Sequence, residues 1–87
     1  MAREVIHSDL PARNGVAVTP NDSTDLTFET RGLYVGGDGN IVVVMADQSD
    51  PAVTLTFTGV KGGSTLPYAV RRVYSTGTTA TSINALW

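Results

Sequence analysis

The stretch RGLYVGGDGNIVVVMAD, residues 31–47, decides the fold of this chain. Two apolar runs, residues 33–35 and 41–46, flank residues 36–40, whose Gly, Asp and Asn predict the turn of a β-hairpin. A half-buried strand alternates apolar and polar residues, whereas residues 41–46 are apolar on both faces. The sequence therefore predicts that a further layer covers the second face of this strand. That layer is either the N-terminal arm or, as we expect, a neighbouring subunit.

The remaining sequence predicts an all-β fold, either a small antiparallel β-sandwich or a barrel-like domain. Short runs of β-branched residues alternate with Gly, Pro, Asn and Asp, which is typical of short strands joined by tight turns. Further strands are expected at residues 27–29, 52–59, 65–75 and 81–86. In the second of these, Val53, Leu55 and Phe57 alternate with threonines, which predicts one buried and one exposed face.

The chain is interpreted as a single domain over residues 1–87, with an extended arm at 1–20 and a β core at 21–87. Prolines, Asn and Gly interrupt the arm and leave short extended pieces at residues 4–7 and 15–18. An arm of this kind has little core of its own, so its place depends on what it packs against.

The segment TPNDSTDL, residues 19–26, is rich in side chains that bond nearby backbone amides. We expect a turn there, or a single helical turn capped by Asn21 or Asp22. The carboxylates of Asp22 and Asp25 would serve glycosidase chemistry only in a sugar-sized cleft. Turn formation is therefore the better account of both.

The composition limits how so small a domain is stabilised. A chain of this size buries only about 60% of its unfolded surface. Small domains usually add disulfides, a metal or oligomerisation. The chain has no cysteine and one histidine, which excludes disulfides, thiolate metal sites and His-rich metal sites. Oligomerisation remains, and charged residues at 16%, below the roughly 25% typical of globular domains, suit a surface partly covered by neighbours.

Charge and hydropathy exclude two classes of partner. A net charge of −2, with Arg71 and Arg72 as the only adjacent basic pair, argues against a nucleic-acid-binding face. No apolar run approaches the ~20 residues of a membrane span. The N-terminus also lacks the apolar core of a signal peptide. We therefore expect a soluble protein that is made in the cytoplasm and binds neither nucleic acid nor membrane.

Candidate chemistry is sparse, and we predict no catalytic residue, metal ligand or cofactor. GGDGN, residues 36–40, lacks the Lys-Ser/Thr pair and the helix of a phosphate-binding loop. His7 is the one base that titrates near neutral pH, and it lies in the arm, away from any predicted pocket. Residues 38–40 run into apolar Ile41 instead of continuing a calcium loop.

The large aromatics with a polar tip and the C-terminal segment are candidates for contact with a partner. Residues 75–87 carry no charge, although an isolated edge strand normally does, so they lie inside the sheet or pair with another subunit. Trp87, following Ile83 and Leu86, predicts a tail pinned into a core or against a neighbour. The subunit-interface candidates are Tyr34, Val42, Val44, Arg71, Arg72, Tyr74, Ile83, Leu86 and Trp87.

A small carbohydrate-binding module is the alternative function. Tyrosine and tryptophan rings stack on sugars, and they also anchor protein interfaces. Such a module would present its rings coplanar on one exposed face. The rings available for this are Tyr34, Tyr68, Tyr74 and Trp87.

Three stretches in order carry a family resemblance: TPNDSTDL, RGLYVGGDGNIVVVMAD and TFTGVKGGSTLPYAVRRVYSTGTTATSINALW. Together they resemble the small head-spike base proteins of tailed phages and gene transfer agents, over about residues 16–87. Members of that family carry an acidic Ser/Thr turn, a glycine-rich hairpin, a loop with Gly and Leu-Pro, a basic-Val segment and a TGTTAT ending. The most specific part is residues 71–73 leading into residues 76–81.

The resemblance implies a virion structural protein, not an enzyme, on the outside of an icosahedral capsid. Such a protein sits at the capsid vertices, contacts the major capsid protein and can carry a spike fibre or tip protein. It would be a homo-oligomer, so we expect a pentamer, with a trimer as the runner-up. The arm, residues 2–18, would reach the capsid or clasp an adjacent subunit, and Arg71 and Arg72 would make salt bridges between subunits. The capsid-contact candidates in the arm are Arg3, Val5, His7, Leu10 and Arg13.

Overall fold

The computed structural model describes residues 12–87, which form two antiparallel sheets. The strands are β1 (Gly15–Ala17), β2 (Gly32–Gly37), β3 (Gly39–Met45), β4 (Leu55–Val60), β5 (Ser64–Leu66), β6 (Val70–Val73) and β7 (Thr81–Leu86). The four-stranded sheet has the order β1-β7-β2-β5, and the three-stranded sheet has the order β4-β3-β6. The predicted all-β sandwich is confirmed, and residues 12–87 contain no helix. The extended piece predicted at residues 4–7 lies outside the described residues.

Residues 36–40 carry the chain from one sheet to the other instead of closing a hairpin. β2 pairs with β5 and β7, whereas β3 pairs with β4 and β6, so the predicted hairpin is wrong. At this corner Gly39 has a φ of +152°, and a Cβ there would lie 2.4 Å from the backbone nitrogen of Ala80. A glycine-rich turn signal fits a hairpin and a corner equally well, because both use backbone conformations that favour glycine.

The predicted strand at 65–75 is two strands that lie in different sheets. Pro67 follows β5 and has no amide to donate to a ladder, and the chain crosses to the second sheet there. The buried hydroxyl of Thr30 satisfies two backbone polar groups at this crossing. It donates to the carbonyl of Tyr68 at 2.9 Å and accepts from the amide of Val70 at 3.0 Å.

The segment between β1 and β2 runs along the outer edge of β6. Backbone hydrogen bonds of 2.8–3.1 Å join Asn21 to Val73, Leu26 to Arg71, and Thr30 to Val70. These are single bonds and not a continuous ladder, so the strand predicted at 27–29 is wrong. The expected turn at 19–26 forms without a helical turn, because the Asn21 side-chain oxygen accepts from the amides of Ser23 and Thr24.

The core lies between the two sheets, and β3 is buried on both faces by the chain itself. The buried core residues are Leu33, Val35, Ile41, Val43, Val70, Val73, Ala80, Ile83 and Ala85. On the outer face of β3, Val42 is 9% exposed and Val44 is fully buried. Tyr74, beside Val42, reaches across this face and donates its hydroxyl to the carbonyl of Pro51, which precedes β4. The expectation that a neighbouring subunit is needed to cover this face is therefore wrong.

β4 is the opposite case. Its apolar residues alternate as predicted, yet Val53 is 49% exposed, Leu55 is 46% exposed and Phe57 is only partly buried. The prediction of one buried face is wrong for this strand, because β4 is the edge of its sheet and pairs only with β3 within residues 12–87. The first three residues of the predicted strand, 52–54, do not join the ladder.

The C-terminal strand is a central strand of the larger sheet. β7 lies between β1 and β2, which explains why residues 75–87 need no charge to prevent unwanted pairing. The tail is pinned as predicted, and to the chain's own core. The ring of Trp87 lies 5.1 Å from that of Phe28, and its backbone exchanges hydrogen bonds with Asn14.

Candidate functional site

The outer face of the four-stranded sheet carries a shallow groove across β1, β7 and β2. The sheet register sets Tyr34 opposite Asn84, and Asn84 opposite Ala17, so these three side chains share one face. The groove has a volume of about 330 Å³. Its lining residues are Gly15, Val16, Ala17, Tyr34, Asn84 and Leu86.

The groove is mostly apolar and open to solvent. Val16 is 51% exposed and Tyr34 is 39% exposed, while the side chain of Leu86 is partly buried. Gly15 keeps the floor low, since a Cβ there would lie 3.0 Å from the Leu86 side chain. A partly exposed tyrosine beside aliphatic residues and a single amide is typical of a protein contact surface.

A cluster of two aspartates and two arginines fastens residues 22–25 to β6. Asp25 accepts from Arg71 at 2.8 Å and from Arg72 at 2.7 Å. Asp22 accepts from the amides of Ser75 and Thr76 and from the Thr76 hydroxyl. The expectation that Arg71 and Arg72 bridge two subunits is therefore corrected, because both guanidinium groups pair with a carboxylate of their own chain.

These contacts shift the ionisation of the cluster. Hydrogen bonds from the Thr76 hydroxyl and amide are the main cause of a lowered pKa at Asp22. The hydrogen bond from Arg72 is the main cause of a lowered pKa at Asp25, with Arg71 adding to it. Asp25 in turn raises the pKa of Arg72. The cluster is ionised at neutral pH and acts as a structural clasp.

The predicted interface residues divide into an interior set and a set that is at least partly exposed. Val42, Val44 and Ile83 pack inside the chain and offer a partner little or no surface. Tyr74 and Arg72 lie against each other, with the guanidinium carbon 5.9 Å from the ring centre. Tyr34 and Leu86 do come together, in the groove.

The arm candidates are largely outside the described residues. Arg3, Val5, His7 and Leu10 lie there, and their proposed contact with a capsid remains a prediction. Arg13 is described and exposed, and its amide donates to the carbonyl of Trp87 at 2.6 Å.

Sequence reasoning missed two exposed surfaces. One is the β1 side of the groove, where Ala17 and Asn84 join Tyr34 through a pairing that no local pattern reveals. The other is the apolar side of β4, where Leu55 and the preceding Val53 are exposed and Phe57 stacks on the exposed ring of Tyr68, with centres 5.3 Å apart. The uncharged run from residue 52 to residue 60 was a signal for the second surface, because a protected edge normally carries a charge.

The described residues contain no assembled metal site and no coplanar set of exposed rings. In residues 12–87, no three His, Cys, Asp or Glu side chains lie together as a metal-binding group. In that same range no helix is long and apolar enough to span a membrane. Tyr34 lies on the larger sheet, Tyr68 lies beside β4, and the Tyr74 hydroxyl is bonded to a backbone carbonyl.

Comparison with known proteins identifies the class of assembly. No family model matches the chain, and no curated protein matches it. A chain in a solved structure described as the capsid of a native gene transfer agent particle, computed with C5 symmetry, is 34% identical to it. The alignment covers 92% of this chain and 88% of that chain, with a TM-score of 0.77. This protein therefore belongs to the family of capsid-related proteins of gene transfer agents and phages.

Proposed function

We propose that this protein is the base of a spike on the outside of an icosahedral capsid. It assembles as a ring at the vertices and anchors a fibre or tip protein. The observation that carries the proposal is the 34% identity, over 92% of the chain, to a chain in the capsid of a gene transfer agent particle. A ring at a vertex of an icosahedral capsid lies on a fivefold axis, so the proposed position favours a pentamer over a trimer.

The exposed surfaces of the sandwich support a role in assembly. The groove presents Tyr34, Ala17 and Leu86 on one side of the molecule, and Leu55 of β4 and the preceding Val53 are exposed on another. Two separate apolar surfaces on one small chain suit a subunit that touches more than one neighbour, as a ring member resting on a shell does. The groove is the proposed seat of Tyr34 and Leu86 contacts with the capsid or an adjacent copy.

A structural role fits the chemistry of the described residues better than catalysis does. The ionisable groups that come together are the carboxylates and guanidinium groups of the clasp, and they neutralise one another on the surface. The alternative of a carbohydrate-binding module has less support, because Tyr34 lies in the four-stranded sheet, whereas Tyr68 lies in the connection between β5 and β6 and stacks on Phe57.

The proposal is tested by adding the purified full-length protein to capsids from particles that lack it. We expect co-sedimentation with the capsids and, by electron cryomicroscopy, added density at the vertices alone, with fivefold symmetry. Density spread over the whole capsid surface would overturn the vertex assignment. Absence of binding at micromolar protein would overturn the capsid role.

A charge placed in the groove tests whether this face makes the contact. Tyr34→Arg puts a cation among apolar residues at a position that is 39% exposed, so the fold should tolerate it. We expect at least a tenfold loss of capsid binding or of ring assembly. The matched control is Ser49→Arg, which adds the same charge to an exposed loop. Equal behaviour of the two variants would remove the groove from the proposed contacts.

A further inference from the structure

β1 and β5 are the two edges of the four-stranded sheet, and within residues 12–87 each pairs on one side only. Neither strand contains a charged residue. The edges of the other sheet are better protected. The segment after β1 covers the outer edge of β6, and β4 carries an extra residue against β3 next to Gly59, whose φ is +69°. Since bulges and covering segments protect edges, β1 and β5 are the better templates for an added strand.

The backbone of β1 presents Gly15 and Ala17 outward. The amides of Asn14 and Val18 each donate at 2.8 Å to carbonyls of the C-terminal segment that contains β7. Backbone groups alternate in direction along an antiparallel strand, so every second residue from Asn14 to Val18 faces β7. The amides and carbonyls of Gly15 and Ala17 therefore face the side where the described chain has no strand.

The backbone of β5 presents Thr65 outward by the same alternation. The carbonyl of Val35 in β2 accepts from the amide of Gly63 at 2.7 Å, so Val35 faces β5. The register then turns Ser64 and Leu66 towards β2. The amide and carbonyl of Thr65, between them, face away from the sheet.

The two edges match each other in direction and in pleat. Each strand of the sheet is antiparallel to its neighbour, so the first and fourth, β1 and β5, run in opposite directions. Copies placed side by side in the same orientation would pair β1 antiparallel with the β5 of the next copy. The registers also put Ala17 and Thr65 on the same face of the sheet as Tyr34. Their outward backbone groups can thus meet as a hydrogen-bonded pair without reversing the pleat.

The charges beside the two edges favour the same direction. Arg13 precedes β1, Asp22 follows it, and Lys61 lies just before β5. An antiparallel pairing brings Lys61 to the end of β1 that leads to Asp22. A parallel pairing would bring Lys61 to the end that carries Arg13. Because opposite charges across a strand pair stabilise it and like charges destabilise it, the antiparallel arrangement is the complementary one.

The pairing of Ala17 with Thr65 also covers apolar side chains on the inner face. Val16 is 51% exposed, and Leu66 is only partly buried. In this register Val16 lies opposite Leu66 in a pair without hydrogen bonds, the kind in which side chains come closest. Pro67 has no amide to donate, so it ends the ladder after these residues.

We infer that β1 of one copy pairs antiparallel with β5 of the adjacent copy, which joins the four-stranded sheets into one sheet around the ring. The occupant of each open edge is a second copy of this chain. The inference rests on the proposed ring and names the strands that join its subunits. Contact between two different patches is the kind that closes a ring. Each strand is only three residues long, so the pairing depends on the ring, in which every copy makes it twice.

Disulfide trapping tests the inference with little background, because the chain has no cysteine. A copy carrying Ala17→Cys is mixed with a tagged copy carrying Thr65→Cys, and the mixture is oxidised gently; both positions are exposed, so the fold should tolerate the changes. Val16→Cys with Leu66→Cys is the second pair. We expect disulfide-linked dimers of unlike copies in both mixtures. Within one chain β1 and β5 are three strand spacings apart, about 14 Å, which is too far for a disulfide.

The matched controls exchange the partners between the two pairs. Ala17→Cys with Leu66→Cys, and Val16→Cys with Thr65→Cys, place the two sulfurs on opposite faces of the joined sheet. Their yield of dimers should be at least fivefold lower. Equal yields from matched and exchanged pairs would overturn the inference. Disulfides formed mainly between two copies of the same variant would show that like edges pair, and would overturn it too.

A chain that carries both Ala17→Cys and Thr65→Cys measures the ring itself. Oxidation should give a ladder of covalent oligomers on a denaturing gel that ends at a closed ring, five copies for a pentamer. A ladder that ends at three copies would keep the strand pairing and replace the pentamer by a trimer. A ladder without an end would mean an open filament and overturn the closed sheet.

The outcome separates this inference from the proposed function. Copies that bind capsid vertices without β1-to-β5 disulfides would overturn the joined sheet and leave the spike-base role intact. Copies that form these disulfides but do not bind capsids would keep the joined sheet and overturn the capsid role. A chain that forms no such disulfides at any concentration, in solution or on capsids, would overturn the joined sheet.

Discussion

β3 and β4 are neighbours in one sheet, carry no charged residue, and have opposite surroundings. Four consecutive residues of β3, Ile41 to Val44, are at most 9% exposed, although no alternation predicts a buried face for it. β4 alternates cleanly, yet none of its residues is buried: Leu55 is 46% exposed, and Phe57 and Val60 are only partly buried. The difference lies in position, since β3 is central and is crossed by Tyr74, whereas β4 is an edge. Alternation shows which residues share a face, but the rest of the fold decides whether that face is covered.

The largest test of this contrast truncates one aliphatic residue in each strand. Ile41→Ala leaves a cavity between the sheets and should lower the free energy of unfolding by about 3 kcal/mol. Leu55→Ala, at a site that is 46% exposed, should change it by less than about 0.5 kcal/mol in dilute solution. The measurement is urea unfolding followed by tryptophan fluorescence. A cost at Leu55 as large as at Ile41 would contradict the exposure of β4 in the folded subunit.

The next test compares the glycine that begins β3 with a glycine one residue before the end of β4. Gly39→Ala places a Cβ against the backbone of Thr79 and Ala80, both of whose amides donate to the carbonyl of Asn40 and are held in place. Strain and overpacking together should cost about 2 kcal/mol. Gly59→Ala, with a φ of +69° and open space around it, should cost about 1 kcal/mol from backbone strain alone. Urea midpoints of the two variants decide the order.

The positions of many strands follow from the local sequence, but which strands pair with each other does not. β-branched runs and turn residues located β7, all of β1 and the buried character of β3, because these depend on neighbours along the chain. The hairpin at 36–40 and the single strand at 65–75 were wrong, because each joins the two sheets and pairing between distant strands is set by the whole core. Pro67 was a local signal for the break, since it cannot donate to a ladder.

The groove and the clasp show the same division between what the local sequence predicts and what distant pairing decides. Tyr34 and Leu86 were candidates as individual residues, and they meet because β2 and β7 pair with Tyr34 opposite Asn84. Arg71 and Arg72 were expected to face another subunit. Their partner, Asp25, lies 46 and 47 residues earlier in the chain, so no short-range pattern pairs them.

A smaller effect on stability is expected at Tyr74, whose side chain covers the outer face of β3. The Tyr74 hydroxyl donates to the Pro51 carbonyl at 2.5 Å and ties the end of β6 to the loop before β4. Tyr74→Phe removes this bond while keeping the ring over Val42, and should cost about 1 kcal/mol. Tyr34→Phe is the control, because its hydroxyl has no hydrogen-bond partner in residues 12–87, and it should change stability by less than about 0.5 kcal/mol. If the two variants lowered the thermal unfolding midpoint equally, the ring of Tyr74, and not its hydroxyl, would account for its contribution to stability.

The smallest effect is the pH dependence of the clasp that holds residues 22–25 on the covered edge. The pKa of Asp25 is lowered from its ordinary value of 3.8, chiefly by the hydrogen bond from Arg72, and that of Asp22 is lowered by Thr76. A lowered folded-state pKa means that the stabilisation is complete above the unfolded value and is lost as the pH falls through the folded value.

Thermal unfolding midpoints measured from pH 7 down to pH 2 should therefore show the clasp's contribution constant at first and falling only below about pH 4. Asp25→Asn should lower the midpoint at pH 7, and its difference from the unmodified chain should shrink as the pH drops, because the carboxylate it lacks is then protonated in both states. Asp47→Asn makes the same change in net charge at an exposed loop position outside the clasp. If Asp47→Asn lowered the midpoint at pH 7 as much as Asp25→Asn does, net charge and not the bonds to Arg71 and Arg72 would account for the effect. The protected edge of the sheet would then rest on the backbone bonds along β6 alone.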